Sequence, residues 1–408
     1  MAGTIAVSTQ ARLQRTPDGA VWTVAGPAHS FWTRYLSAFE RVRLLARVID
    51  VPVPPVAGSR VDGSGVGIWP LPYYVGPSQF LLRRTALRRS LRDAVDGVEA
   101  VILRVPSPIA TLALPILRHQ RRGYALEVVG DPQDVLGHRA VRHPLRPLLR
   151  HWAVRGLREQ CLAATAVAYD TETRLQDRYP PGPHTIATWY SSIDLRPEAF
   201  VTEAHTPPPP GTPVTLISAG SLDHGYQGID VLLLAMCELT RGGVLTNLVH
   251  LGDGRFRPRL ERLAAQHDLT DQVTFTGDLP AVGVRPWLDR ADLFVVASPG
   301  EESSRPLIEA MARGLPAVGT LAGGTAELLD ADCLAAAGDP AALAEAIGRL
   351  FADPQRMADV AAGNMVRSQD YRTEVLAPRR ANFYRTIRMA CRPARVSPAV
   401  APREHASA

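Results

Sequence analysis

Glu301 and Glu309 stand eight positions apart where a buried strand is predicted to turn into a helix. Carboxylates accept paired hydrogen bonds from vicinal hydroxyl groups, which are what a hexose and a ribose present. A glycine pair, Gly323–Gly324, follows at the next predicted junction between a strand and a helix. The spacing of the two glutamates alone is more typical of solvated charges on a loop and a helix surface. With the strand, turn and glycine pair around them, the residues suit a site that holds a sugar and a ribose by their hydroxyls, with a diphosphate between them.

The elements on either side of the glutamates fix where their side chains lie. The apolar run 292–298 predicts a buried strand, and Ser303 or Ser304 can cap the helix that follows it. Glu301 is then in the loop above the strand end, and Glu309 is in the first two turns of the helix. Both carboxylates are therefore expected to face one crevice.

Strand and helix patterns alternate along the whole chain of 408 residues. In the second half the strand patterns are almost continuously apolar, as expected when helices cover both faces of a parallel sheet. Strands are predicted near 98–105, 124–130, 163–170, 214–220, 246–254, 271–278, 292–298 and 316–320. Helices are predicted near 32–47, 78–95, 108–122, 144–162, 171–179, 228–241, 256–267, 280–289, 304–313, 324–329, 340–352 and 376–391. The alternation predicts the α/β class with parallel sheets, which bind ligands at the carboxyl ends of their strands.

A proline-rich stretch predicts the division of the chain into domains. Residues 205–213 contain four consecutive prolines, which favour neither a helix nor a central strand and predict a stiff, extended linker. The length also exceeds what one ordinary core accommodates. The predicted segments are an N-terminal domain at 1–204, the linker at 205–213, a C-terminal domain at 214–375, a helix at 376–392 that packs back on the N-terminal domain, and a disordered tail at 393–408.

The charge and cysteine content indicate the class of protein and its location. All 45 basic residues are arginines; residues 1–200 hold 25 of them against 16 acidic residues, and residues 201–408 hold 20 against 24. This asymmetry predicts two domains with different ligands. The sequence lacks a long apolar run and a signal-peptide pattern, and its four cysteines have no paired spacing. The expected location is the cytoplasm.

Two arginine-rich stretches, 80–95 and 138–159, raise the question of an anionic partner. In the second stretch apolar residues recur at helical spacing: Val141, Leu145, Leu148, Leu149 and Trp152. This pattern fits a helix lying on anionic lipid at the inner face of the plasma membrane. It fits better a core-facing stripe beneath a solvated basic face, which is the expected arrangement. Nucleic acid is not expected as a partner, because the basic residues are not interleaved with stacking aromatic residues.

The segment around Glu301 and Glu309 resembles the E-x7-E signature of the family 4 glycosyltransferases. Further stretches resemble other parts of that family's donor-binding domain and occur in the same order: 218–236, 248–264, 273–280 and 327–350. The resemblance covers about 214–355. It implies the GT-B architecture, in which two Rossmann-like parallel α/β/α domains face each other across a cleft.

The resemblance also implies a reaction and the roles of residues in it. The reaction is retaining transfer of a hexose-type sugar from a UDP- or GDP-sugar, without a metal ion or another cofactor. Glu301 would hold hydroxyls of the donor sugar, Glu309 would bind the ribose, and Phe275 would lie near the base. The residues that would offer backbone N–H groups to the diphosphate are Gly300, Ser303, Ser304, Gly323 and Gly324.

The sequence departs from the family at the diphosphate. The family has an arginine two residues after the first strand of this domain and a lysine in the loop that follows, whereas this chain has Ser221 and Gln227 there. Arg255, Arg305 and His224 are candidates to replace these cations. Arg305 is the best placed in sequence, because it lies between the two motif glutamates.

The N-terminal domain is expected to bind the acceptor, a saccharide or a lipid-linked sugar. A loop containing Gly26 and His29 matches the glycine loop after the family's first strand. Asp131 follows a later predicted strand and fits the position of a polar residue that faces the sugar, with His138 as another candidate. His29 and Asp131 are therefore predicted to take part in catalysis.

Three alternative functions are compatible with the same residues. A small natural product could replace the lipid-linked acceptor. The fold also occurs in sugar-nucleotide 2-epimerases, which would need acid and base groups around the sugar. Without basic residues at Ser221 and Gln227, the chain could also be a degenerate partner that binds a glycan or another transferase.

Overall fold

The computed structural model of the protein describes residues 3–24, 26–56, 58–135, 146–193, 195–209, 211–223, 228–298 and 305–391. Two sheets and the helices that flank their strands account for most of these residues. The α/β class with parallel sheets, which the alternating sequence patterns predicted, is confirmed.

Nine strands of the described residues form the first sheet. They are β1 Thr4–Arg15, β2 Val21–Thr23, β3 Arg41–Asp50, β4 Ser59–Arg60, β5 Val66–Leu71, β6 Ala100–Val105, β7 Ala125–Val128, β8 Ala166–Tyr169 and β9 Ile186–Trp189. The order is β4-β2-β1-β6-β7-β8-β9, and β3 pairs with both β1 and β5. β1 lies parallel to β3 and β6, whereas β2 joins β1 in an antiparallel hairpin. β2 also pairs with β4 in an antiparallel arrangement. Antiparallel strands can be joined by a short turn and need no crossover helix.

The helices of this part of the chain are α1 His29–Trp32, α2 Gly76–Val95, α3 Pro108–His119, α4 Pro132–Val135, α5 Arg146–Leu162 and α6 Arg174–Arg178. α3 illustrates how the sequence starts a helix. The hydroxyl of Ser107 accepts hydrogen bonds from the N–H groups of Ile109 and Ala110, and Pro108 occupies the first turn, where no N–H is needed.

The predicted helix at 32–47 is wrong over most of its length. Residues Arg41–Asp50 form β3, which pairs in parallel with β1 and β5. Leu44, Leu45 and Ala46 are consecutive and all fully buried, as in a strand covered on both faces. A short apolar run of this kind fits a helix and a buried strand equally well, so the spacing alone could not separate them.

The second sheet is parallel throughout. Its strands are β10 Val214–Ala219, β11 Thr246–Leu251, β12 Val273–Phe275, β13 Leu293–Val296, β14 Ala317–Thr320 and β15 Leu334–Ala335, in the order β12-β11-β10-β13-β14-β15. Leu216, Leu248 and Leu293 are fully buried at its centre. The helices between the strands are α7 Ile229–Arg241, α8 Arg257–Gln266, α9 Ala281–Leu288, α10 Arg305–Ala312, α11 Thr325–Leu328 and α12 Pro340–Ala352. The sequence patterns predicted each of these helices within a few residues.

Two helices follow this sheet, α13 Pro354–Ser368 and α14 Thr373–Ala390. The sequence patterns predicted α14 but not α13. Asp353 caps α13 by accepting a hydrogen bond from the N–H of Arg356, and Met357, Val360 and Ala361 are its buried apolar residues.

The chain forms two compact units. The first unit contains Met1–Leu126, Ala164–Ala166 and the chain from Ala381, and the second contains Glu127–Ala163 and Val167–Arg380. The described part of the predicted linker at 205–213 has no helix or strand and lies within the second unit. The predicted domain boundaries stay predictions.

Within the first unit, the end of α14 contacts residues from the beginning of the chain. The ring of Tyr384 lies 4.7 Å from that of Tyr35, centroid to centroid. Arg388 forms an ion pair with Glu99 at 3.1 Å and donates a hydrogen bond to the Ala38 carbonyl at 2.8 Å. Tyr384 and Ile387 are fully buried, so this helix end belongs to the core of the first unit.

Candidate functional site

The carboxyl ends of β10 to β14 lie along one edge of the second sheet, because all these strands run parallel. Most of the predicted donor-binding residues belong to the loops after these strands or to the helices that follow them. Parallel sheets place ligands at this edge.

The loops after β10 and β11 are bonded to each other. The N–H of Leu222 donates to the Asp253 carbonyl at 2.7 Å, and the N–H of Phe256 donates to the Leu222 carbonyl at 3.0 Å. Gly254 has a φ of 153°, and a Cβ atom on it would lie 2.3 Å from the backbone carbon of Leu222. Glycine is required there because the two backbones approach so closely.

His250, on β11, holds the loop after β10 from within the core. It is fully buried; its Nδ1 lies 2.9 Å from the hydroxyl of Ser218, and its Nε2 lies 3.0 Å from the Gly220 carbonyl. A carbonyl only accepts, so Nε2 carries the proton and Nδ1 accepts from Ser218. Burial lowers the pKa of His250 to about 4, which keeps the ring neutral. The sequence analysis missed this residue, although a histidine within an apolar strand pattern was a signal for it.

Phe275, predicted to lie near the base, ends β12 and is partly buried. Its ring meets that of His250 edge to face, with 5.9 Å between the centroids. The guanidinium carbon of Arg257 lies 5.8 Å from the centre of the Phe275 ring. Asp278 lies in the loop after β12 and accepts a hydrogen bond from the N–H of Asp253 at 3.2 Å. This bond joins the loop after β12 to the loop after β11.

Glu309, the predicted ribose ligand, lies on α10 with its carboxylate largely buried. Burial raises the pKa of Glu309, while the charges of Arg305 and Arg285 act in the opposite direction. Arg305 forms an ion pair with Glu309 at 3.4 Å, one turn away on the same helix. Arg305, proposed from the sequence as a replacement cation, is thus engaged with the predicted ribose ligand.

Gly323 and Gly324 are both buried in the loop that leads from β14 to α11. Gly323 has a φ of 54°, a left-handed conformation that favours glycine. Ser221, at the other end of the predicted site, accepts a hydrogen bond from the N–H of Asp223 at 3.3 Å. The remaining predicted residues of this site lie outside the described residues: Gln227, Gly300, Glu301, Ser303 and Ser304. His224 and His138 lie outside them as well.

Glu327, on α11, connects this loop to a distant part of the second unit. Its carboxylate accepts hydrogen bonds from the N–H groups of Glu172 at 3.1 Å and Thr173 at 3.3 Å, and from that of Arg174. The hydroxyl of Thr173 donates to it as well, at 3.1 Å. Glu327 thus binds the segment that begins α6. The sequence offers no local signal for this contact, because the partners are more than 150 residues apart.

Asp131, at the end of the loop after β7, is fully buried in the second unit. It accepts hydrogen bonds from the guanidinium of Arg178 and the hydroxyl of Tyr179, both next to or within α6, and from the N–H of Gln133 at 2.8 Å. The Asp131 carboxylate is thus engaged by three donors of the second unit itself. Glu327 at the start of α6 and Asp131 at its end therefore hold the same short helix.

Gly26 and His29 belong to the first unit. His29 begins α1, and its Nε2 lies 3.3 Å from the Ser64 carbonyl. Gly26 lies close to Thr23, whose hydroxyl would be 3.0 Å from a Cβ atom at this position. Asp131, the third predicted acceptor residue, belongs to the second unit.

The acidic pair Asp330 and Asp332 resembles a metal-binding D-x-D motif in sequence only. Arg356 forms ion pairs with Asp330 at 2.9 Å and Asp332 at 2.7 Å. Arg367 forms a third, with Asp330, at 2.5 Å. These arginines lower the pKa of both carboxyl groups. Both carboxylates already have cationic partners.

In the described part of the second arginine-rich stretch, which lies in α5, three of the recurring apolar residues face solvent. Leu148, Leu149 and Trp152 are 46%, 43% and 62% exposed, so these three residues do not form a core-facing stripe. Arg155 and Arg158 lie on the same exposed helix. None of the described helices combines the length and the apolar character that a membrane crossing needs.

Comparisons with known proteins agree with this geometry. A family model described as "Glycosyl transferases group 1" matches residues 213–353, which hold the second sheet. Protein CapJ of Staphylococcus aureus is 22% identical over 342 residues, or 81% of this chain and 82% of that protein. The GDP-mannose-dependent alpha-(1-6)-phosphatidylinositol dimannoside mannosyltransferase of Mycobacterium tuberculosis is 33% identical over 149 residues, or 36% of this chain and 37% of that protein.

The fold also matches a solved structure. HepE of Anabaena, in complex with UDP-glucose, superimposes with a TM-score of 0.62 at 14% identity, over 93% of this chain and 98% of that chain. The GT-B fold expected from the resemblance is therefore confirmed. Residues 213–353 thus match the family model of the group 1 glycosyltransferases, and nearly the whole chain shares the fold of a solved GT-B structure.

Proposed function

We propose that the protein transfers a hexose-type sugar, with retention of configuration, from a nucleotide diphosphate sugar to a saccharide or lipid-linked acceptor. The observation that carries this proposal is the largely buried Glu309 on the same sheet edge as the loop of Gly323 and Gly324, within the segment that matches the family. HepE, which shares the fold, binds UDP-glucose, and the related mannosyltransferase depends on GDP-mannose. A role in polysaccharide or glycolipid synthesis is part of the proposal.

In this mechanism the two motif glutamates orient the donor. Glu301 holds hydroxyls of the sugar and Glu309 binds the ribose. The bond between the anomeric carbon and the diphosphate oxygen breaks. A new bond forms from that carbon to the acceptor oxygen, on the face that the diphosphate leaves, and the proton of the acceptor hydroxyl passes to the departing diphosphate oxygen. Backbone N–H groups of the glycine loops stabilise the charge on the departing diphosphate, as fixed donors do elsewhere.

The roles of the predicted acceptor residues are proposed separately. His29 and the loop around Gly26 are proposed to contact the acceptor. Asp131 is fully buried and already accepts from Arg178 and Tyr179, so we assign it the positioning of the surrounding loop and of α6.

A panel of UDP-, GDP- and dTDP-sugars, with and without EDTA, tests the function. We expect one donor to raise the melting temperature and to be consumed, equally with EDTA present. Glu301→Gln should abolish transfer while largely sparing nucleotide binding, and Glu309→Gln should weaken nucleotide binding.

Other outcomes would contradict the proposal. An isomerised sugar formed without any acceptor indicates a 2-epimerase. A protein that neither binds nor consumes any donor is not a transferase. Activity on soluble aglycones, in place of lipid-linked acceptors, assigns a small natural product as the acceptor.

We also propose that the exposed face of α5 contacts an anionic membrane surface at the cytoplasmic side. Trp152 and its two leucine neighbours would enter the interface, while Arg155 and Arg158 approach lipid phosphates. A lipid-linked acceptor and the enzyme would then be bound to the same membrane surface.

Sedimentation with vesicles tests this contact. We expect the protein to bind phosphatidylglycerol vesicles but not pure phosphatidylcholine vesicles, and the variant Leu148→Ser/Leu149→Ser/Trp152→Ser to lose most of this binding. The matched control is Val366→Ser/Met389→Ser, which removes side chains 72% and 75% exposed elsewhere. Equal binding by the two variants would contradict the proposal.

A further inference from the structure

Three arginines lie near the strand ends where the donor diphosphate is proposed to bind. Arg257 sits between two carboxylates, 3.1 Å from Asp253 and 2.8 Å from Glu261. Arg305 forms its ion pair with Glu309. The charges of these two arginines are thus already balanced by acidic side chains.

Arg255 differs from the other two. It is exposed, and it forms no ion pair with any carboxylate of the described residues. Its Nε donates to the carbonyl of Asp223 at 2.6 Å, and its backbone N–H donates to the Asp223 side chain at 3.2 Å. The guanidinium carbon lies 5.1 Å from the centre of the Phe256 ring. One side of the guanidinium is therefore fixed, and its two Nη groups are left to bind a ligand.

Hydrogen bonds fix the backbone that carries Arg255. The described parts of the loops after β10 and β11 are bonded to each other through Leu222, and their backbones approach closely at Gly254. His250 fixes the Gly220 carbonyl at the start of the first loop. The guanidinium that spans these two loops is held in place before a ligand arrives, which reduces the entropy lost on binding.

The first of these loops is also the one that lacks a cation. Ser221 stands where the family resemblance leads us to expect an arginine, only two residues before Asp223. We propose that Arg255, reaching across from the neighbouring loop, supplies the guanidinium that binds the donor diphosphate. Two Nη groups in a planar fork match two oxygens of a phosphate. This inference rests on the proposed function, because it names a residue of the same donor site.

Binding of UDP and GDP to the full-length protein, measured by calorimetry, tests the assignment. We expect Arg255→Gln to weaken the tighter of the two ligands about tenfold or more, as loss of a charge-assisted contact does. The matched control is Arg259→Gln, which removes an exposed arginine four residues along the chain and should bind like the wild type. Arg255→Lys, which keeps the charge but not the fork, should fall between the two.

A second readout separates a ligand contact from a general loss of structure. Uridine and guanosine lack the diphosphate, so their binding should be equal in the wild type and in Arg255→Gln. Unchanged diphosphate binding in Arg255→Gln, or an equal loss for nucleoside and diphosphate, overturns the role of Arg255. A wild-type protein that binds none of UDP, GDP and dTDP overturns the proposed function itself.

Discussion

Glu309 carries its charge in a largely buried position, and the surroundings work against that charge. Burial raises its pKa, and the attraction of Arg305 and Arg285 offsets only part of the effect. An ionised group in such a position destabilises the fold unless hydrogen bonds or opposite charges from a ligand or a neighbouring residue compensate for its burial. The proposed contact with ribose hydroxyls gives the carboxylate that use, since a carboxylate offers only acceptor atoms.

Replacement of Glu309 by glutamine should make the protein slightly more stable at pH 7. The amide keeps the shape of the side chain but removes the buried charge, and the melting temperature should rise by about 1–2 °C. A raised pKa means that the folded protein binds a proton more readily than the unfolded chain. Acidification through that pKa should therefore stabilise the wild type relative to the variant, so the difference in melting temperature shrinks. A difference that is independent of pH would show that the charge of Glu309 is not its cause.

His250 should produce the opposite dependence on pH. Its pKa is lowered by burial from 6.5 to about 4, so the folded state favours the neutral ring. Its contribution to stability is complete above pH 6.5 and is lost as the pH falls towards 4. His250→Gln can still donate to the Gly220 carbonyl and should remove this part of the pH dependence. Denaturant unfolding of both proteins from pH 7 to pH 4.5 measures it, and parallel curves would contradict the assignment.

At the scale of elements, the short helix α6 is held at both ends by buried or partly buried carboxylates. Glu327 accepts three backbone N–H groups at its start, and Asp131 binds Arg178 and Tyr179 at its end. A helix of five residues has little stability of its own, so these contacts fix its place.

Glu327→Ala should therefore lower the free energy of unfolding by about 1–2 kcal/mol, the usual cost of removing a helix cap. Glu327→Gln retains a carbonyl oxygen that accepts hydrogen bonds and should cost less. The control is Glu345→Ala, which removes only an exposed ion pair with Arg349 and should cost about 0.5 kcal/mol or less. Urea unfolding compares the three variants, and equal losses for Glu327→Ala and Glu345→Ala would refute the capping role.

The elements of the second sheet could be predicted from sequence because each signal is local. Continuous apolar runs indicated its central strands, and glycines marked the loops between them. The strand at Arg41–Asp50 was predicted as a helix because its three consecutive buried residues carry no periodicity that separates the two. The positions of Glu309 and the glycine pair followed from the strand and helix on either side. The contacts of Glu327 and Arg255 could not be predicted, since their partners are 32 or more residues away in the chain.

At the scale of the whole molecule, the chain completes its first unit with its last described helix. A chain that stops after Arg380 would lack Phe383, Tyr384 and Ile387, all of them buried. Burial of three such side chains contributes about 5–9 kcal/mol, comparable with the whole stability of a typical protein. This truncated chain should therefore yield little folded protein, as judged by circular dichroism and limited proteolysis. A matched chain that ends at Cys391 keeps these contacts and should fold normally; equal behaviour of the two chains would contradict the prediction.

The contact between Tyr35 and Tyr384 also sets the time at which the first unit can finish folding. The ribosome synthesises the first 126 residues about 250 residues before the helix that completes the core of this unit. At about 5–20 residues per second, the early segment waits for roughly 12–50 s with part of its apolar surface uncovered. During that interval the nascent chain depends on chaperones or on its own partial collapse to avoid aggregation. The strands and helices of the second unit are nearly contiguous in sequence, so most of them can pack against one another as they emerge from the ribosome.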